Sequence, residues 1–370
     1  MFTPSRLAIA RKRRGMTLVN LSGHVGVTAQ SLSNAERGRQ EPSNATLVQI
    51  AETLRFPVTF FSQPDIEPIK PDQVSFRART KITAYARDAV LSGAWLAFLF
   101  RHWIEERFRL PKVDIPTLGR RMSPEVAAEH VRARWGLSDL TTIANMVHLL
   151  EAHGVAVFSL PPEYEEVDAF SFWRDGTPFV ILNTLKSPER GRFDAAHELG
   201  HLVMHGEAGC ERGNRTLEKE ANMFASAFLM PRASVYQVVN RALTTDEIIR
   251  YKRRWKVAAL ALAYRLRELD LLSDWSYRQS VIELGKRGFK KSEPGGIPSR
   301  ETSQLLEKVF SLLRESRTSF SKIGAELHIS TSDLNELTFG LAVTPVADGI
   351  SVPRSDEGPA TDYRVLRLVR

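Results

Sequence analysis

Residues 192–201 carry two histidines and a glutamate at a spacing that suits metal chemistry. His197 and His201 are four residues apart, so on a helix both imidazoles lie on one face and can bind one Zn²⁺. Glu198 follows the first histidine, where its carboxylate can take a proton from an attacking water. Burying these three groups among the apolar neighbours of a core helix would be costly without a metal. The spacing therefore predicts a hydrolytic zinc site in preference to two ordinary core histidines.

The next helical segment offers a third ligand, which a catalytic zinc site needs. Both Glu218 and Glu220 flank its apolar stripe, and periodicity alone does not choose between them. Asn222 shares a face with Glu218 and could orient a ligating histidine. His205 continues the histidine line but lies about 12 Å along the axis from His197, too far to close around the same ion. We interpret His205 as a rim, capping or substrate-side residue, and as a candidate oxyanion donor.

Three stretches of this region resemble the ImmA/IrrE metallopeptidase family. They are Arg-Phe-x-x-Ala-His-Glu-Leu-Gly-His at 192–201, Glu-x-x-Ala-Asn-x-Phe-Ala at 218–225 and Leu-Met-Pro at 229–231. The resemblance extends over about residues 150–235 and implies a zinc-dependent peptidase. It implies zinc ligation by His197, His201 and Glu218, a general base at Glu198 and a supporting role for Asn222.

A second, independent pattern occupies residues 5–60. A basic helix ends at Gly15, and two short helices capped by Thr17 and Thr28 are joined by a glycine-containing turn. This arrangement predicts a helix-turn-helix whose second helix enters the major groove of DNA. The segment resembles the Xre-type repressor head, and the alternative is a small helical bundle that only mediates assembly.

The residues predicted to contact DNA fall into two groups. Short polar side chains near the start of the recognition helix suit base edges, and arginines suit phosphates. The base-reading candidates are Gln30, Ser31, Ser33 and Asn34, and the phosphate-contacting candidates are Arg11, Arg13, Arg37 and Arg39. Glu36 is expected to pair inside the head and not with DNA.

The fold class predicted from these patterns is mainly α, with a small α+β metallopeptidase domain. A five-helix head precedes a zincin-like domain containing a short mixed sheet with strands near 155–160, 169–173 and 179–182. Residues 320–337 superficially suggest another helix-turn-helix, but they lack a basic recognition face and are expected to pack structurally. The predicted segments are a DNA-binding head at 1–66, a helical connector or dimerisation segment at 67–118, a peptidase domain at 119–235, a helical region at 236–343 and a tail at 344–370.

Composition restricts where such a protein works. The net charge of +8 favours a polyanionic partner, and the single cysteine, Cys210, fits a reducing compartment. The N-terminus lacks the apolar stretch of a signal peptide, and the most apolar run, at 90–100, is too short to span a bilayer. We therefore expect a cytoplasmic protein with no membrane partner.

The function predicted from the sequence is a DNA-binding transcriptional regulator with a zinc endopeptidase. Its partners would be duplex operator DNA, an inverted repeat read by a homodimer, and a repressor-like regulatory protein as substrate. The family resemblance implies control of a mobile element or a stress operon. The alternatives are a transcription factor whose peptidase fold senses or dimerises without hydrolysis, and an antitoxin or defence component that masks a partner protein, such as a toxin.

Overall fold

The computed structural model describes residues 1–71, 74–78, 83–119, 122–160, 164, 166–206, 214–239, 243–290 and 292–341. Cys210 and the predicted tail at 344–370 lie outside these residues. The first half of the chain forms α1 (Pro4–Arg13), α2 (Leu18–Val25), α3 (Ala29–Glu36), α4 (Asn44–Leu54), a 3₁₀ helix (Val58–Ser62), β1 (Ser75–Ala78), α5 (Ala84–Glu105), α6 (Pro124–Arg134), α7 (Met146–Ala152), β2 (Ala156–Ser159), β3 (Val167–Arg174) and β4 (Thr177–Leu182). The second half forms α8 (Pro188–Met204), α9 (Arg215–Leu229), α10 (Arg232–Val238), α11 (Thr245–Trp255), α12 (Ala259–Glu268), α13 (Asp274–Lys286), α14 (Gln304–Glu315), α15 (Phe320–Leu327) and α16 (Thr331–Leu337).

The N-terminal head folds as its capping residues predict. The side chain of Thr17 accepts a hydrogen bond from the third residue of α2, and Thr28 does the same for α3. Gly26 ends α2 in the left-handed conformation (φ 71°), which a glycine adopts without strain. The predicted fifth helix of the head is the short 3₁₀ helix rather than an α-helix.

The sheet has four strands in the order β1-β3-β4-β2. β2 and β4 are parallel, whereas β3 runs antiparallel to both β4 and β1. The β3–β4 hairpin turns through Asp175 and Gly176, both at positive φ (50° and 74°), which suits a two-residue turn. The mainly helical fold with a small mixed sheet is confirmed. The connector was predicted to be helical, but it also supplies β1, which was missed.

Two hydrophobic clusters lie on opposite faces of this sheet. The first combines residues of the head, α5, the phenylalanine-bearing face of β2–β4, and α14 to α16. Trp95 and Trp103 of α5 are buried within it, so the aromatic face of the connector belongs to the core. The second cluster joins the opposite face of the sheet to the helices from α6 to α13. The first cluster crosses several boundaries of the five predicted segments, so the segments do not coincide with separate cores. Their division into domains stays a prediction.

The head is tied to α16 by a buried ionic network. Asp333 is fully buried and lies 3.0 Å from the Arg13 guanidinium and 2.6 Å from that of Arg14. Arg13 also pairs with Glu336 and is only 2% exposed. The prediction that Arg13 meets a DNA phosphate was wrong, because its charge is used inside the molecule. Structural packing of residues 320–337 is confirmed by the same contacts.

Candidate metal centre

Helix α8 contains the motif His197-Glu198-x-x-His201, written HExxH below, and places it in the interior of the molecule. It starts where the Ser187 side chain accepts the backbone N–H of Arg190, with Pro188 in its first turn. Gly200 allows α9 to approach closely, because a Cβ there would stand 3.1 Å from the Phe224 ring. The small residue thus brings the two helices together and places the start of α9 beside the histidines.

Three side chains converge at the α8–α9 contact. His197 Nε2 and His201 Nε2 are 3.1 Å apart, and each lies 3.4 Å from an oxygen of Glu218. A tetrahedral zinc ion with ligand bonds near 2.05 Å would hold its donor atoms about 3.3 Å apart. Two imidazoles and one carboxylate are also the donor types that zinc takes in hydrolytic sites. Among the described residues these three form the one His/Cys/Asp/Glu group able to hold a metal ion, and they fit zinc.

Outer contacts fix the orientation of both imidazoles. His197 Nδ1 lies 3.2 Å from Asn222 Oδ1, so we assign a ring proton to Nδ1, and Nε2 is then the nitrogen that would ligate a metal. His201 Nδ1 lies 2.9 Å from His205 Nδ1, and His205 Nε2 lies 3.1 Å from Glu220 Oε2. A proton on His201 Nδ1 and another on His205 Nε2 satisfy this relay, and His201 Nε2 is then the nitrogen that would ligate a metal.

His205 is the C-cap residue of α8, and its backbone N–H donates to the His201 carbonyl, so the capping role among those expected is confirmed. Its side chain is 2% exposed, and its nitrogens contact His201 on one side and Glu220 on the other. A rim or oxyanion role would need an N–H turned toward substrate, so these contacts correct those two alternatives alone. The relay also distinguishes the two glutamates that periodicity left open, since Glu220 contacts His205 while Glu218 faces both HExxH histidines.

A residue of the sheet holds the Glu198 carboxylate in place. Ser171 of β3 donates its hydroxyl proton to Glu198 Oε2 over 2.6 Å, and both residues are buried. A hydrogen bond to a carboxylate is short and stronger than one between neutral groups. Sequence reasoning missed Ser171; the available signal was a single hydroxyl residue between Phe170 and Phe172.

Charge at the centre favours an ionised third carboxylate. Burial acts to raise the pKa of Glu218, but hydrogen bonds and charge interactions with His197 and His201 outweigh it and lower that pKa below its usual range. In those hydrogen bonds the Nε2 atoms donate to the carboxylate, and a zinc ion would take the place of the shared protons between the ionised Glu218 and the two imidazoles.

The head presents most of its predicted DNA-contacting residues at the surface. Gln30 is exposed and its amide nitrogen donates to Asn34 Oδ1 at 3.1 Å. Arg37 and Arg39 are exposed, and the two serines, Ser31 and Ser33, are partly so.

Arg11 is an exception among these residues. Its guanidinium makes two hydrogen bonds to the Glu36 carboxylate, at 2.6 and 2.8 Å, and a third to the backbone oxygen of Met16. The predicted internal pairing of Glu36 is confirmed, and the phosphate contact predicted for Arg11 stays a prediction.

Comparisons with known proteins agree with both halves of this description. Residues 150–267 match the family model of the IrrE N-terminal-like domain, and residues 7–61 match a helix-turn-helix model. A similar curated protein is the radiation response metalloprotease IrrE of Deinococcus radiodurans, 30% identical over 112 residues. That alignment covers 26% of this chain and 34% of the relative, so the chain matches about a third of the relative's length.

The chain thus combines an Xre-type helix-turn-helix DNA-binding domain with a metallopeptidase domain of the ImmA/IrrE type. Within the described part of the chain, no helix has both the length and the apolar character needed to cross a membrane.

Proposed function

We propose that the protein is a DNA-binding regulator whose zinc endopeptidase centre hydrolyses a partner regulatory protein. The observation that carries this proposal is the triangle of His197, His201 and Glu218 donor atoms, with edges of 3.1 to 3.4 Å, beside the held carboxylate of Glu198. A structural zinc site would be closed by four protein ligands. Three ligands and an adjacent carboxylate suit hydrolysis instead.

Each residue of the centre has a distinct task in the proposed reaction. Zinc held by His197, His201 and Glu218 would supply Lewis acidity, which activates water and polarises the scissile carbonyl. Glu198 takes the proton of the attacking water and delivers it to the leaving amine. Ser171 fixes the orientation of that carboxylate, so that its proton transfer is directed at the reacting atoms.

The DNA-binding head that is fused to the peptidase domain indicates the class of substrate. A DNA-binding head brings the domain to a promoter, where repressor-like proteins are concentrated. The matched relative is described as a radiation response metalloprotease, which supports a regulatory target over general digestion. We propose a repressor of a stress operon or a mobile element as the substrate class.

We also propose an inverted-repeat operator as the DNA partner. One helix-turn-helix head reads a half-site, so a homodimer would bind an inverted repeat with half-sites about one helical turn apart, or a multiple of it. Gln30, Ser31, Ser33 and Asn34 would read base edges, while Arg37 and Arg39 would meet phosphates. A gel shift on the protein's own promoter tests this directly. Operator binding that survives deletion of residues 1–66 would refute it.

The substrate can be sought by trapping. Glu198→Gln keeps the size of the side chain and all three proposed ligands, so the variant should hold its partner without cutting it. We expect affinity capture with this variant to enrich a regulatory protein that the native chain does not retain. A partner held equally by both proteins and never cut would instead favour the sensor, antitoxin or masking functions.

A further inference from the structure

Strand β3 has two edges, and both are occupied within this chain. β4 pairs along one edge from Ala169 to Arg174. The connector strand β1 pairs antiparallel along the other, with Ser75 opposite Ser171. An additional strand could join β3 only where β1 now lies.

That edge lies beside the proposed general base. Ser171 donates its hydroxyl to Glu198, and neighbouring strands in a sheet are about 4.8 Å apart. A polypeptide paired with β3 at Ser171 would therefore pass within one strand spacing of the residue that holds the catalytic carboxylate. Adding an extended peptide to a sheet edge is a general way for a protein to bind such a chain.

The HExxH side chains are buried in the structure that has β1 paired with β3. His197 and Glu198 are 0% exposed and His201 is 3% exposed, whereas Glu218 keeps 33% of its side chain accessible. A substrate carbonyl must come within contact distance of the buried groups before the proposed reaction can start. Access therefore requires a rearrangement near them.

β1 has the character of a strand that can be displaced. It is four residues long, and its register with β3 shifts between Arg77 and Ala78. Short edge strands and irregular pairing contribute few ladder hydrogen bonds, and such elements open at low free-energy cost.

We propose that β1 occupies the substrate position as an internal strand, and that an extended segment of the protein substrate replaces it on β3. This inference rests on the proposed peptidase function. It names the substrate class as a locally extended or unfolded polypeptide segment. It also makes the connector between the DNA-binding head and α5 an autoinhibitory element.

The test removes β1 pairing in the full-length chain. Phe76→Pro with Arg77→Pro deletes two consecutive backbone N–H groups, one of which faces β3 because donors alternate along a strand. The matched control, Phe76→Val with Arg77→Val, changes the same positions but keeps both N–H groups. The probe is a fluorescein-labelled extended tetrapeptide hydroxamate, whose binding is followed by fluorescence anisotropy and needs no turnover.

We expect the proline variant to bind this probe at least about tenfold more tightly than the native chain and the valine control. Hydrogen exchange should be faster along β3 in the proline variant, and zinc content should be equal in all three. Equal probe affinity despite faster β3 exchange would overturn the inference. So would unchanged β3 exchange, or no probe binding by any zinc-loaded form.

A second measurement uses the native chain alone, in case the proline variant does not fold. Saturation with the probe should speed hydrogen exchange at residues 75–78 and leave β3 protected. Continued protection of 75–78 in the bound state would overturn the inference. Failure of the proposed function gives a different pattern: no zinc in any form, or displacement of β1 by the probe with no peptide ever hydrolysed.

Discussion

The two glutamates at the start of α9 provide a matched pair of perturbations. Glu218 faces both HExxH histidines at 3.4 Å, whereas Glu220 reaches the centre only through His205 and then His201. Losing a residue that supports a ligand usually lowers metal affinity about 10–100-fold. Glu220→Ala acts two contacts away from the metal position, so we expect a loss of about tenfold or less. Glu218→Ala removes a donor itself and should lower zinc affinity more than about 100-fold.

The assay is a competition between the protein and a graded series of chelators. Native protein, Glu218→Ala and Glu220→Ala are loaded with one zinc per chain, and the zinc left after dialysis is measured by atomic emission. Circular dichroism shows whether each variant keeps its helices. Glu218 is one-third exposed, so its truncation leaves no buried cavity. Greater zinc loss from Glu220→Ala than from Glu218→Ala would refute the ligand assignment.

Three further predictions concern stability, chemistry and DNA binding. Asp333→Asn breaks a buried ion pair and should lower the free energy of unfolding by about 3–5 kcal/mol. The control Asp274→Asn breaks an exposed ion pair and should lower it by at most about 1 kcal/mol. Equal urea midpoints for the two variants would contradict this prediction. Burial acts to raise the pKa of Asp333, but its two arginine partners outweigh burial and lower that pKa. The stability that this ion pair contributes should therefore be complete above the pKa of the unfolded chain, near pH 4, and should disappear as the pH falls through the lower pKa of the folded protein. Ser171→Ala removes a charge-assisted hydrogen bond worth about 1.5–3 kcal/mol, so kcat should fall about 10–100-fold with zinc content unchanged, and an unaltered kcat would contradict the positioning role. Gln30→Ala with Asn34→Ala should weaken operator binding by about 1–3 kcal/mol per lost bidentate contact without affecting cleavage, and an unchanged gel shift would remove α3 as the reading helix.

Local patterns in the sequence were sufficient to predict the helices that carry the metal centre. The i,i+4 histidines and the downstream Glu218 and Asn222 are the residues that the structure brings together. Capping threonines likewise predicted the helices of the head. These features depend on neighbours within a few positions, so one sequence contains the necessary information.

Contacts between distant residues were not predictable in the same way. Arg13 belongs to a basic helix and suggests a solvent-facing charge until Asp333, far along the chain, is placed beside it. Ser171 is one hydroxyl residue between two phenylalanines until β3 packs against α8. β1 is too short to show a two-residue period, and its partner strand follows roughly a hundred residues later.

The central claim is that this zinc centre hydrolyses a protein, and the most direct measurement compares native chain with Glu198→Gln. Both are loaded with one zinc per chain and incubated with the protein captured by the variant, and new peptide termini are identified by mass spectrometry. We predict defined new termini with the native chain and a rate at least about 100-fold lower with Glu198→Gln. An intact partner after incubation with the zinc-loaded native chain, or equal cleavage by both proteins, would contradict the claim.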